Sequence, residues 1–567
     1  VELRFIECCF GSFKESLLAY KIKLPETNPD LLRRNNMVIK KKEMLTVYCS
    51  LALLGSLLAG CSNLYKPNVT ASKVSVVPAK QITLSWMRYE HSSQALDVNS
   101  IIVQEIQKRK NVKLELRSVP QSNYEDKKKT LIATNSIPDV IMVNQNDLSN
   151  YADSSIFLDL TPYLDKMPNF QKLIGQKPEI NKTKVDGKLY GFPLVTKWSM
   201  QSGQLPMIRT DLLTKLNLKT PTTYDELYQV LKKLKDAYPA SYPFTSRAAN
   251  GKTGTENLIN PIAFGFGSGY TNITGTKIYF EQATKQYKFG PYSPEFKDAI
   301  TYLHKLYKEK LLDPDYSVAT SQTWVEKLST GKSFFYQDNN GFGVNFNKAL
   351  QAKEPDAKFE LLPVMASLKG VKRNNVYQLD HLGEMYAISS KVKNPEEVIK
   401  IIDWMYGDEG TNLTSFGIEN VDYTLAGGEY KISDATKAKF KDKQDPFRAM
   451  QSALGTGYLG LALNSDDHPL IPSSAPELIK WSEKAIKDLA DGINFREVND
   501  PPFNKEEREK LKQLRTQLDA HLTLNMDRFI INDGALNDWD SFIIKCKEKG
   551  ASEIETIYNT ALARVNK

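Results

Sequence analysis

Cysteine and histidine are scarce, five of each in 567 residues. No two cysteines form a C-x-x-C pair and the histidines are scattered, so the chain carries no sequence signature of a metal cluster. There is no H-E-x-x-H. Ser268 has Phe266 where a nucleophile elbow needs glycine. Gly251-Lys252-Thr253 looks like the end of a phosphate loop, but Ser246 stands where its first glycine belongs. No cofactor, metal or catalytic activity is expected. Acidic residues are abundant, so composition leaves one enzymatic rival open, a pair of carboxylates that cleaves glycosidic bonds. Internal repeats and low-complexity tracts are also lacking.

The net charge is +8. Much of the basic character sits on mixed Lys/Glu helix faces such as Lys505–Arg515, which read as solvated surface. No stretch concentrates Lys and Arg among aromatics without acids, so a nucleic-acid partner is not expected. Composition is otherwise that of a globular chain, with 41% hydrophobic and 25% charged residues, enough for more than one core.

The one long apolar run lies near the N-terminus. Lys40, Lys41 and Lys42 precede Met44–Leu58, which is too short for a comfortable membrane span of about 20 residues and suits a secretory signal. Leu58-Ala59-Gly60-Cys61 follows and matches a bacterial lipobox, in which the cysteine thiol receives the lipid. Residues 37–60 are therefore expected to be a lipoprotein signal peptide and Cys61 the lipidated first residue of the mature chain. Two acyl chains would hold it stably to a membrane where one is marginal. Residues 61–80, polar with Pro67 and Pro78, read as a flexible tether. Residues 1–36 lack periodicity and read as an upstream extension outside the native protein, with Met37 as the start. Cleavage at Cys61 would leave Cys546 as its sole companion among Cys8, Cys9, Cys49, Cys61 and Cys546, so stability must come from core burial.

From Gln81 the pattern alternates between strand and helix. Gln81–Trp86 reads as a strand, Asn99–Lys110 as a helix and Val112–Val119 as a strand. Ser122 and Glu125 suggest a capping box for a helix to about Thr134, before the buried strand Asp139–Asn144. This βαβαβ order predicts parallel strands with covering helices. Asp186-Gly187 predicts a hairpin turn. Thr223 with Glu226, Ser293-Pro294, Asn394-Pro395, and Ser552 with Glu555 predict further helix starts, and helices dominate the last third. The fold class is α/β, in two lobes. The first is expected to take 81–195 plus about 385–422, and the second about 196–384 plus 423–567. One crossover is expected near Gly191–Val195.

Several phrases, in order, resemble family 1 extracellular solute-binding proteins of bacterial ABC importers, in their large lipoprotein branch. They include Ile137–Ile141, Leu158–Tyr163, Val185–Pro193, Arg209–Leu213, Leu218–Leu227, Tyr302–Pro314, Lys393–Gly410 and the tail Asp538–Tyr558. The resemblance covers nearly all of Gln81–Lys567. It implies a periplasmic-binding-protein-like clamp, with a helix-rich C-terminal region, that closes on a solute in an interlobe cleft. It also implies a mono- or oligosaccharide solute, ABC permease subunits as partners, a monomer, and a place on the outer face of the cytoplasmic membrane. A polysaccharide-cleaving lipoprotein and a non-transporting sensor or adhesion lipoprotein are the rival readings.

Ligands of open α/β sheets sit beyond the carboxyl ends of strands. That points to Met87–Ser93, with Tyr89, and to the loop after the third strand, where Asn144, Gln145 and Asp147 offer amides and a carboxylate to sugar hydroxyls. Aromatic platforms for sugar rings are expected among Trp86, Trp198 and Trp324, because Trp404, Trp481 and Trp539 fall in helical patterns. Tyr336, Asp338 and His381 are further candidates beside strands. The lipobox generates the first test. Cys61→Ser should release the protein or leave its precursor uncut. Mass spectrometry finding a mature protein that retains residues before Cys61 would refute the anchor.

Overall fold

The computed structural model describes residues 81–565, apart from 91–93, 249–251, 273–275 and 444. The expected signal peptide, Cys61 and the tether lie outside the described residues. Two large hydrophobic cores share no residue. One draws on Leu84–Val195 and Leu382–Leu463, the other on Ile208–Met365 and Leu511–Leu562.

The first core surrounds a six-stranded sheet. Its order is Asn464–Asp466, Phe192–Trp198, His381–Ile388, Val140–Asn144, Ile82–Glu90, Val112–Pro120. Ile82–Glu90 pairs in parallel with both its neighbours, as the βαβαβ pattern requires. Ser85 and Asp139 fix the register where the third strand enters. The Ser85 amide donates to the Asp139 carboxylate at 2.8 Å, and the Asp139 amide donates to Ser85 Oγ at 3.0 Å. Strand His381–Ile388 runs antiparallel between segments distant in sequence. The first strand continues to Glu90 instead of ending at Trp86, so Met87–Glu90 is strand and not loop.

The second core packs on one face of a three-stranded antiparallel sheet ordered Phe335–Asn339, Gln204–Arg209, Phe359–Leu361. Alternation along a strand sends successive side chains to opposite faces. Phe335 and Ile208 enter the second core, whereas Tyr336 and Met207 enter a smaller cluster with Trp324, Phe346, Phe359 and Trp481. Helices Tyr224–Ala237, Gly254–Phe266, Pro294–Lys308 and Lys505–Ile531, with the last two helices, complete the core. Cys546 is buried there, and burial pushes its thiol up to about 12. Among the described residues no helix is long and apolar enough to cross a membrane.

Thr223 accepts from the Glu226 amide at 3.1 Å, and Asp186 and Gly187 take positive φ in their turn, both as the sequence suggests. Ser122 does not open its helix. The helix begins at Gln121 behind Pro120, without a side-chain cap, and Glu125 pairs with Lys128. Ser552 likewise lies inside a helix that begins at Ala551. Reciprocal boxes occur instead at Asn144 with Asp147, Thr253 with Glu256, and Asn504 with Glu507.

The expected crossover at Gly191–Val195 lies within the first sheet. A Cβ on Gly191 would meet Leu148 Cδ1 at 2.8 Å, so this glycine serves close packing. The chain passes between the sheets at 199–203, returns at 377–380, and leaves again after Asp466. Leu459, Leu461 and Leu463 join the first core, beyond the expected end of the return segment near 422. We accordingly propose lobe bounds of 81–198 with 381–466, and 204–376 with 476–565.

Asp403 joins the two passes of the chain through the first core. Its carboxylate accepts from Asn169 Nδ2 and from the buried Phe170 amide, each at 2.9 Å. Asp403→Ala orphans that amide and should lower the unfolding free energy by about 1–3 kcal/mol in urea titrations. An unchanged midpoint would contradict this account.

Candidate functional site

A cavity of about 430 Å³ separates residues of the two cores. One wall is Gln145, Asn146, Ser149 and Asn150, with Glu179, Lys182, Thr183, Leu382 and Gly383. The other is Asn499–Pro501, Phe503, and the exposed stripe of helix Lys505–Ile531. Glu179 and Lys182 also edge a second hollow of about 540 Å³. That hollow shares Phe280, Gln282 and Arg496–Val498 with a third, smaller one. The three lie in succession along the segment Asn494–Phe503, which contributes lining residues to each.

The first wall stands on a helix. Residues Gln145–Tyr151 are helical, not a loop, and Asn144 is their N-cap, accepting from the Asp147 amide at 2.9 Å. Asp147 also contacts the fully buried Lys128 ammonium at 2.6 Å. This capped and ion-paired base aims Gln145, Asn146, Ser149 and Asn150 at the cavity. Gln145 Nε2 donates to the Thr183 carbonyl at 3.3 Å, while its Oε1 is buried without a partner.

The second wall follows from helical periodicity. Leu511, Leu518, Leu522 and Met526 are buried, all four in the second core. Arg508, Lys512, Arg515 and Asp519 recur every three or four residues and line the cavity. Arg515 Nη2 donates to Tyr558 Oη at 2.5 Å, and its Nε is buried without a partner, as is Asn499 Nδ2. Buried polar atoms of folded proteins are nearly always satisfied, and three unmet ones belong to side chains that line this one cavity. Burial raises the Asp519 carboxyl above the usual range, against the nearby Lys277 and Arg515. Asp500 accepts from Tyr558 Oη at 3.2 Å.

Of the residues expected to meet a solute, Gln145 lies on the cavity wall. Asn144 and Asp147 support it from behind. Trp86 is 2% exposed and packs edge-on to Tyr386 at 4.9 Å between ring centres, in the first core. Tyr89 donates to Glu384 at 3.2 Å. Trp324 and Tyr336 are 0% exposed in the smaller cluster, with the Arg247 guanidinium 4.4 Å from the Trp324 ring. Asp338 is buried against Arg247 and Asn257, each at 2.9 Å. Five of the expected contacts, Trp86, Tyr89, Trp324, Tyr336 and Asp338, thus form cores and buried networks because each has protein neighbours on all sides. Trp198 ends a strand opposite Asp466 and His381 begins one opposite Leu194; their side chains lie outside the described residues. The half-buried aromatics along the groove are phenylalanines, Phe280, Phe495 and Phe503. Among the described residues, no group of three or more His, Cys, Asp or Glu side chains is placed to hold a metal ion.

Residues 95–412 match the family of bacterial extracellular solute-binding proteins. The chain belongs to this family. The polygalacturonan/rhamnogalacturonan-binding protein YtcQ of Bacillus subtilis (strain 168) is 25% identical over 534 residues, 92% of this chain and 98% of that protein. The fructooligosaccharide ABC transporter substrate-binding protein FusA of Streptococcus pneumoniae serotype 4 is 24% identical over 546 residues, 90% of this chain and 96% of that one. The crystal structure of the alginate-binding protein AlgQ2 without calcium ion superposes with a TM-score of 0.70. It is 20% identical and covers 86% of this chain and 99% of its own, a likeness of fold. The groove of this solute-binding protein therefore lies in a two-lobed α/β frame of known type.

Packing at Trp324 supplies a test. Trp324→Ala should lower stability by about 3–5 kcal/mol in denaturant unfolding, as for other buried aromatics. Retained stability would show that the ring is not part of a core.

Proposed function

We propose that this protein captures a carbohydrate, a mono- or oligosaccharide, in the groove between its lobes and delivers it unaltered to the permease of an ABC importer. In this reading the lipid on Cys61 holds it to the outer face of the cytoplasmic membrane. The observation that carries the proposal is a cavity walled by both halves of the chain, with unmet hydrogen-bonding atoms on lining residues from each: Gln145 on one side, Asn499 and Arg515 on the other. Sugar hydroxyls both donate and accept, and can satisfy all three. The half-buried phenylalanines offer apolar faces to the C–H surfaces of sugar rings. The succession of hollows along Asn494–Phe503 favours an oligosaccharide over a single ring. The names of YtcQ, FusA and AlgQ2 support a carbohydrate.

Solute touching both walls makes contacts that exist only when the lobes are together, and this differential affinity drives closure. The crossings at 199–203 and 377–380 and the one after Asp466 are where backbone torsions can change without disturbing either sheet. They are tied to one another. Gln201 Nε2 donates to the Tyr377 carbonyl at 2.9 Å, and Ser199 Oγ donates to Asp467 at 2.9 Å. A permease can then distinguish a loaded, closed shape from an empty one.

A thermal-shift screen against a carbohydrate panel should find ligands that raise the melting temperature by mass action. Small-angle scattering should show a smaller radius of gyration with the same sugar, and chromatography should recover it intact. Steady release of shorter products would favour the polysaccharide-cleaving rival. Tight binding without import of the sugar into cells would favour the sensor or adhesion reading.

A further inference from the structure

The charges on the cavity wall are unequally engaged. Glu179 is held by Lys182 at 2.6 Å. Asp500 accepts from the Asn272 amide and the Tyr558 hydroxyl. Burial disfavours the charged form of Asp519. Arg508 is engaged by the Phe503 carbonyl at 2.6 Å and by Asp186 at 3.3 Å. Lys512 and Arg515 are different. The Lys512 ammonium forms no ion pair among the described residues. Arg515 has a phenol for a partner, not a carboxylate, and its Nε–H is buried and unmet. Its guanidinium lies 5.7 Å from the Tyr558 ring centre, a contact that orients it without cancelling its charge. The unmet Asn499 Nδ2 adds a further donor.

Such a wall is short of acceptors that carry negative charge. A neutral hydroxyl would satisfy the unmet N–H groups, but as the closing lobes exclude water it would leave Lys512 without a counter-charge and Arg515 with only Asp519, whose charged form burial disfavours. A carboxylate would meet both needs, since its oxygens are acceptors only and charge-assisted bonds are about twice as strong as neutral ones. We propose that the solute is an acidic oligosaccharide of the uronate type, with a ring carboxylate received by Lys512 and Arg515 and with Asn499 beside them. This rests on the reading of the cavity as the solute site. It names a substrate class that carbohydrate binding alone does not specify. The remaining rings lie toward Phe280 and Phe495, where polar and apolar residues both line the hollows.

The test is calorimetric titration of the purified protein with two matched panels. One holds uronate oligosaccharides differing in ring stereochemistry and linkage. The other holds the same molecules as full methyl esters, which keep the hydroxyls and lose the charge. Neutral oligosaccharides and inorganic phosphate complete the set. A uronate should bind at least about tenfold more tightly than its ester, with affinity falling as salt rises. Lys512→Ala, at an exposed position that leaves the core untouched, should weaken uronate binding about tenfold and flatten its salt dependence. Lys512→Arg should restore both, and Arg515→Lys should weaken binding while circular dichroism reports an intact fold. Binding of neutral sugars or esters in preference to uronates overturns the acidic-solute inference and leaves the carbohydrate reading standing. Binding of phosphate with no uronate bound overturns it in favour of a different anion. Binding of no member of any panel removes both readings.

Discussion

The burial of one stripe of the Lys505–Ile531 helix fixes the chemistry of the groove. Leu511, Leu518, Leu522, Met526 and Phe529 enter the second core, each worth about 1.5–3 kcal/mol of transfer free energy when fully buried. A helix turns by about 100° per residue, so once that stripe is set the direction of every other side chain follows. Arg508, Lys512, Arg515 and Asp519 face the cavity because their neighbours face inward. The adjoining helices hold the arrangement closely. A Cβ on Gly550 would lie 2.5 Å from Leu514 Cδ2, and the positive φ of Gly550 suits the turn between the last two helices.

The opposite wall is built on another principle. Lys128 is fully buried, and removing a charge from water is costly unless it is closely paired. Asp147 at 2.6 Å and Glu125 at 2.7 Å provide the pairing, and Asp147 also receives the Asn144 amide. One carboxylate thus holds a buried cation and a helix start together. The Gln145–Tyr151 helix is short, and short helices have little stability of their own. Its rigidity comes from what lies beneath it. Apolar packing positions one wall of the groove and buried electrostatics the other.

Much of the frame was legible in the sequence. The alternating strands, the Asp186-Gly187 turn and the Thr223 cap are local signals with local causes. The middle of the first sheet was not, because His381–Ile388 inserts between strands that end at Asn144 and Trp198, far earlier in the chain, and no local period announces that pairing. The site was harder to read. Ranking tryptophans by their place in the pattern selected Trp86 and Trp324, yet a large aromatic at a strand end packs into a core as readily as it lines a cleft. The Lys505–Arg515 charges read as a solvated face, and for Lys505, Glu506 and Glu509 that holds. What separates Arg508, Lys512 and Arg515 from them is the presence of Asn146 and Glu179 across the gap, which helical spacing within one segment cannot reveal. The place of Gln145 on the cavity wall was legible because it follows the carboxyl end of the third strand, and reading a strand end needs no knowledge of the partner wall.

The route of the chain has a consequence for how the molecule comes to exist. Its six-stranded sheet takes its outermost strand from Asn464–Asp466, and its core waits for Leu459, Leu461 and Leu463. The second core in turn waits for the helices that end near Val565. Neither half can be completed from an emerging N-terminal portion, although halves folding one after another during synthesis is the common course for large chains. Both must close late, from contacts between distant segments, which slows folding. In the interval the unpaired edges of Val140–Asn144 and Phe192–Trp198 are open to strands of other molecules, and the nascent protein depends on being kept apart from its own copies until His381–Ile388 and Asn464–Asp466 arrive.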